Sequence, residues 1–231
     1  MEIAGCELPD DCLVDLEHEV WWRWEPDGRS ARIGLLAPLA AFAGIFREVT
    51  FRPVAGTIPK GRSVATVESV RYTGAVRVPV DAELLEVNRG LVGRPRWIND
   101  RPYAEGWVAH LRPVSPEAPA RLLERPEAAR ARLEETIRTR RIRCWPKAPD
   151  VELVEVGVEC SAVLARLNEE LGRRPPGEAV LLVTDDPTSP IEMERWSDQT
   201  GYPLLARRSE GTLWQFLVEK LAQPLPRRRR G

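Results

Sequence analysis

Gly157-Val158-Glu159-Cys160-Ser161-Ala162-Val163-Leu164-Ala165-Arg166-Leu167 is a strand-like run that meets a cysteine and turns at once into a helix. Val163, Leu164, Leu167 and Leu171 recur at helical spacing, so the helix has one apolar face and Cys160 stands at its N-cap or first turn. Unpaired backbone N–H groups and the positive end of the helix dipole favour thiolate over thiol there. The expectation is a reactive cysteine, supported by Glu159 and by the Ser161 hydroxyl as a donor to sulfur. The competing reading is an inert, buried structural cysteine.

Around this stretch, residues 151–156 read as a strand, 161–172 as a helix, 178–184 as a strand and 189–199 as a second helix. Residues 203–208 and 213–220 form a closing strand pair. The order βαβαββ predicts a two-layer α/β sandwich over 147–222. Asp185 and Asp186 precede the second helix; they read either as a metal or acid pair or, preferably, as its caps.

Upstream the chain changes character. Short β-branched and apolar runs at 14–24, 29–35, 48–54, 63–70, 74–79 and 82–88 are punctuated by Pro26-Asp27-Gly28 and Pro59-Lys60-Gly61. They predict an all-β domain of small sheets over 1–114. Residues 115–146 are rich in Ala, Glu and Arg with only Leu133 and Ile137 as an apolar stripe, which predicts a solvated helical linker. The end, 223–231, is a short basic tail for which a solvated role is preferred over RNA contact.

The chain has 231 residues, 43% of them hydrophobic, and a formal charge of −1, enough for two packed domains and no net pull toward nucleic acid or acidic lipid. Neither a signal peptide nor a membrane span is indicated, and four cysteines without a secretion signal fit a reducing cytoplasm. Cys144 is a candidate resolving thiol for Cys160. Cys6 and Cys12 can be imagined pairing, or binding metal with His18, but no zinc-type spacing exists and no metal is expected.

Five motifs of the N-terminal half carry a resemblance. In order they are Glu17-His18-Glu19-Val20-Trp21, Ala31-Arg32-Ile33-Gly34, Thr66-Val67-Glu68-Ser69-Val70, Glu86-Val87-Asn88 and Asn99-Asp100-Arg101-Pro102-Tyr103-Ala104-Glu105-Gly106-Trp107. Together they resemble the glycine cleavage system H protein over roughly residues 5–114. The resemblance implies a lipoyl-domain-like fold, a barrel-sandwich hybrid, whose hairpin carries lipoate on the lysine of Glu-Ser-Val-Lys. Here the tetrapeptide is Glu68-Ser69-Val70-Arg71. A lipoyl amide needs an amine that can lose its proton, and a guanidinium stays charged. No lipoate is therefore expected; Arg71 is either an anion-docking group or without function. Lys60, the sole lysine of this half, lies outside the motif.

The C-terminal half is similar to the TusA (SirA-like) sulfur carriers over roughly 149–221. The similarity rests on Gly157-Val158-Glu159-Cys160, Pro176-Gly177-Glu178, Thr184-Asp185-Asp186-Pro187 and Gln199-Thr200-Gly201-Tyr202-Pro203. It implies that Cys160 holds sulfane sulfur as a persulfide, although Ser161 and Val163 stand where that family has proline. Read together, the halves predict a sulfur carrier that meets a cysteine desulfurase or rhodanese and, through its first half, enzymes that handle lipoyl groups. The alternative is a non-catalytic scaffold.

Overall fold

The computed structural model describes residues 1–53 and 56–223, and these divide into two compact units, Met1–Cys144 and the residues from Trp145 onward. The basic run 227–230 expected of the tail lies outside the described residues.

The first unit opens with a hairpin, β1 (Glu2–Ile3) and β2 (Cys6–Glu7), followed by β3 (Cys12–Asp15), β4 (Val20–Trp24) and β5 (Ala31–Leu35). Helix α1 (Ala37–Ala43) leads to β6 (Phe46–Phe51), β7 (Thr57–Ile58), β8 (Ser63–Ser69), β9 (Thr73–Arg77) and β10 (Ala82–Val87). Two single turns, α2 (Gly90–Gly93) and α3 (Trp97–Asp100), precede β11 (Ala109–Pro113), α4 (Ala118–Leu122) and α5 (Pro126–Thr139). Strands β3-β4-β5-β11-β10-β7 form one sheet and β6-β8-β9 another.

Strand β4 shows how the layers are stacked. Val20, Trp21 and Trp22 are consecutive and all buried, which a strand allows only where both its faces are covered. Trp22 points into the core shared with Val49, Val64, Val67 and Val76 of the three-stranded sheet. Trp21 points the other way, into a second core with Ile3, Cys6, Leu8, Ala129, Leu133 and Ile137. The segment expected as a linker is therefore part of the first unit. Ala129, Leu133 and Ile137 stand four residues apart on one face of α5, and that narrow stripe suffices because the N-terminal hairpin fills the space beside it.

Gly34 is required by this packing. A Cβ there would stand 2.8 Å from the indole of Trp21, which is 1% exposed and donates its Nε1–H to Pro102 O at 3.1 Å. Gly34→Ala is expected to destabilise the first unit by about 1–3 kcal/mol, read as a lower urea midpoint at unchanged slope. An unchanged midpoint would show that the indole yields freely.

The second unit comprises β12 (Val151–Glu155), α6 (Cys160–Arg173), β13 (Ala179–Thr184), α7 (Ser189–Thr200), β14 (Leu204–Glu210) and β15 (Leu213–Glu219). Its sheet runs β12-β13-β15-β14, with β12 parallel to β13 and the other pairs antiparallel. All six residues of β13 are buried. Val180 and Leu182 meet Val163, Leu167, Leu171, Met193 and Trp196 of the helices, while Leu181 and Val183 face Leu217 and Trp145 on the other side. Because β12 and β13 run in parallel, α6 and α7 both begin at the C-terminal edge of the sheet, the edge where ligands meet open α/β sheets.

Candidate functional site

Two places carry chemistry, one in each unit. In the first, Val70 and Arg71 are the tip of the turn between β8 and β9, closed by the Ser69 N–H donating to Tyr72 O at 2.8 Å. Val70 is 76% exposed and Arg71 is exposed. The tip is moored to the end of α1. Ser69 Oγ donates to Ala43 O at 2.7 Å, and Arg71 Nε reaches the same oxygen at 3.4 Å. A guanidinium here complements the negative end of the helix, which closes at Gly44 with φ +75°. Arg71 thus has an observed partner within its own chain.

Asn99 holds the same corner. It donates to Ala40 O and Gly44 O and accepts from the Phe46 N–H at 2.9 Å, while Asn88 donates to Glu105 O and Trp107 O at 2.8 Å each. Both asparagines of the sequence motifs are structural ties that join loops lacking a ladder of their own.

In the second unit Cys160 is the first residue of α6, after Glu159 in extended conformation at the N-cap, and is partly buried. Asp186 Oδ2 accepts the Cys160 N–H at 2.9 Å, while its Oδ1 accepts the Thr188 N–H at 2.7 Å and the Thr188 hydroxyl at 2.6 Å. Asp185 Oδ1 accepts the Gly157 N–H at 2.7 Å. The two aspartates therefore tie the start of α6 to the start of α7.

This arrangement opposes ionisation of Cys160. Burial, then the Asp186 carboxylate, push the Cys160 thiol above its ordinary value; Thr188 and Ser189 pull it down and Glu192 adds to the rise. The amide that sequence reasoning assigned to the sulfur is used by Asp186, and a negative charge comes with it. The supporting hydroxyls are also different. Ser161 is exposed, and the hydroxyls that favour ionisation of Cys160 are those of Thr188 and Ser189. They lie 28 and 29 residues from Cys160 in sequence. The signal available was two parallel strands each followed by a helix, which brings the two helix starts together.

Cys144 is not a resolving thiol for Cys160, and Cys6 does not pair with Cys12. Cys6 and Cys144 form a disulfide across 138 residues of chain. Cys12 is a free thiol, pushed up to about 12 chiefly by burial. The disulfide is a bond that the reducing setting suggested by the cysteine count does not favour. His18 engages Asp15 at 2.6 Å rather than a cysteine. Asp15, Glu17 and His18 bring ligand atoms within 4.8 Å of one another, but Asp15 also accepts the Glu17 N–H and Glu17 pairs with Lys60 Nζ at 3.4 Å. These contacts make a folded turn.

The sequence model of the glycine cleavage H-protein matches residues 13–136. The chain belongs to the glycine cleavage H-protein family. Glycine cleavage system H protein 5 of Aquifex aeolicus (strain VF5) is 36% identical over 146 residues, covering 62% of this chain and 98% of that protein. Probable glycine cleavage system H protein 2 of Saccharolobus solfataricus is 31% identical over 144 residues, covering 61% of this chain and 95% of that protein. A crystal structure of a glycine cleavage system H protein from Mycobacterium marinum aligns with a TM-score of 0.42 at 25% identity, over 47% of this chain and 87% of that one. In this H-protein-family chain the matched range includes Arg71 and most of α5, in keeping with α5 packing as part of the first unit. Among the described residues no helix is long and apolar enough to cross a membrane.

Proposed function

We propose that this chain is a thiol-based sulfur carrier. In this reading the H-protein-like unit lacks an acyl arm and serves for docking, and the second unit, TusA-like in its βαβαββ order, carries the transferable group. The observation that supports it best is Cys160, a free and partly accessible thiol at the first turn of a helix. The Cys160 thiolate attacks the outer sulfur of a donor persulfide, forming a new S–S bond. The donor's own S–S bond breaks and its cysteine leaves as thiolate, so the exchange is redox-neutral. An acceptor thiolate later takes the same outer sulfur from Cys160.

A cysteine desulfurase or rhodanese in the cytoplasm is the class of donor this chemistry needs. The first unit raises the effective concentration of the carrier at enzymes that handle H-proteins or lipoyl groups. No lipoate takes part, since the hairpin offers a guanidinium. The Cys6–Cys144 disulfide is compatible with a cytoplasmic setting, because Cys6 is fully buried and Cys144 is 8% exposed, which slows attack by small thiols.

The test is sulfur loading of the whole chain. With a cysteine desulfurase and cysteine, or a rhodanese and thiosulfate, the intact mass is expected to rise by one sulfur, and Cys160→Ser to abolish the gain. No gain in the wild type, or an equal gain in Cys160→Ser, rejects the carrier. The upward shift of the Cys160 thiol supports a second reading, a non-catalytic scaffold in which Asp186 has traded reactivity for a tighter turn.

A further inference from the structure

Three hydroxyls lie close to Cys160 in the sequence or in space, and their protons are committed differently. Ser161 is exposed. Thr188 donates its proton to Asp186 Oδ1 at 2.6 Å. Ser189, the first residue of α7, is 1% exposed, and its Oγ has no hydrogen-bond partner. Asp186 places Ser189 at the start of α6, since its Oδ2 accepts the Cys160 N–H at 2.9 Å and its backbone O accepts the Ser189 N–H at 3.2 Å; from there the hydroxyl favours the ionised form of Cys160. A buried hydroxyl without a partner costs stability, so its retention calls for a reason. Here the reason is at hand, because an O–H donates far better to an anionic sulfur than to a neutral thiol.

The charges that bear on the sulfur sharpen the case. Asp186 and Glu192 are both negative and both oppose ionisation. Against them stand the two hydroxyls, and Thr188 is already spent on Asp186. We propose that Ser189 is the hydrogen-bond donor to the reacting sulfur at Cys160, idle in the resting thiol and engaged once the sulfur becomes an anion. The same donor then holds the outer sulfur of the persulfide, about 2 Å further out. This second role rests on the carrier reading; the first does not. Ser189 acts by stabilising charge and takes no proton from the substrate, so the transfer stays balanced as written above.

The experiment is the pH profile of alkylation by iodoacetamide on the whole chain, where Cys12 is buried and Cys6–Cys144 is closed, with Cys160→Ser as the blank. Ser189→Ala is expected to move the midpoint to higher pH by about one unit, a roughly tenfold loss of thiolate at fixed pH below it. Its thermal midpoint stays equal or rises, because an unpaired buried hydroxyl has been removed. Ser189→Thr keeps a hydroxyl and holds the wild-type midpoint; Ser189→Gly repeats the alanine result should alanine fold poorly. A folded Ser189→Ala or Ser189→Gly protein with an unmoved midpoint overturns the assignment. The readouts separate the two ideas. A shifted midpoint without sulfur loading of the wild type leaves Ser189 as donor to the thiolate and removes the carrier, whereas loading without a shift keeps the carrier and removes Ser189.

Discussion

Reduction of the Cys6–Cys144 disulfide is expected to lower the unfolding free energy of the first unit by about 3–5 kcal/mol. The bond closes a loop of 138 residues, nearly the whole unit, and so takes chain entropy from the unfolded state over almost its full length. It also acts where the fold has little else. The two-residue strands β1 and β2 pair only with each other, and they cover Trp21 through Ile3, Cys6 and Leu8. Once the bond is open, the N-terminal hairpin is held by that apolar contact and by the Met1 amino group on Leu8 O at 2.7 Å and Asp10 at 2.9 Å. Urea unfolding of the first unit, oxidised against reduced and against a Cys6→Ala/Cys144→Ala variant, should show a lower midpoint. The slope should be steeper, since the open chain exposes more surface on unfolding. Equal midpoints would show that the bond spans residues already fixed in the unfolded state. The Cys6→Ala/Cys144→Ala variant retains Cys160 and needs no reductant, so sulfur loading of that variant separates a stability effect from a chemical one.

What the sequence disclosed follows from how far apart the interacting residues lie. Alternation in β8 and helical spacing in α6 are local and were readable from neighbouring residues. The five motifs led to the right family for the first unit, although Asn88 and Asn99 mattered as ties to distant loops. The role of α5 was hidden because Ala129 reads as neutral until Trp21 and Ile3 are seen beside it. The disulfide was equally hidden, since Cys6 and Cys144 stand at opposite ends of the unit and no spacing rule joins them. At Cys160 the helix start was legible. Its electrostatics were not, because Asp186 enters from the neighbouring helix through the parallel pairing of β12 and β13.

Arg71→Lys is expected to convert a chain that takes no lipoate into one that takes a single lipoyl group. The wild-type hairpin has the features that present a modified side chain: a two-residue tip, a closing bond from Ser69 to Tyr72, and an exposed Val70 beside the position. The tip is held by Ser69 Oγ on Ala43 O, a bond that does not involve the arginine, so the substitution leaves its shape in place. Lysine keeps the positive charge near the end of α1 and loses only the longer contact of Arg71 Nε. At an exposed site this should change stability by no more than about 0.5 kcal/mol. What changes is the chemistry, because an ammonium can shed a proton and form an amide while a guanidinium cannot. Incubation with a lipoate ligase, lipoate and ATP should add one lipoyl increment to Arg71→Lys and none to the wild type. Lys60, already paired with Glu17, serves as the control, and Arg71→Lys/Lys60→Arg should label equally. Labelling of the wild type would place the acceptor at another lysine and restore the acyl arm. A folded Arg71→Lys protein that stays unlabelled would mean that the hairpin has diverged at more than one residue, with Tyr72, packed edge-on against Phe46 at 6.2 Å, the first neighbour to vary.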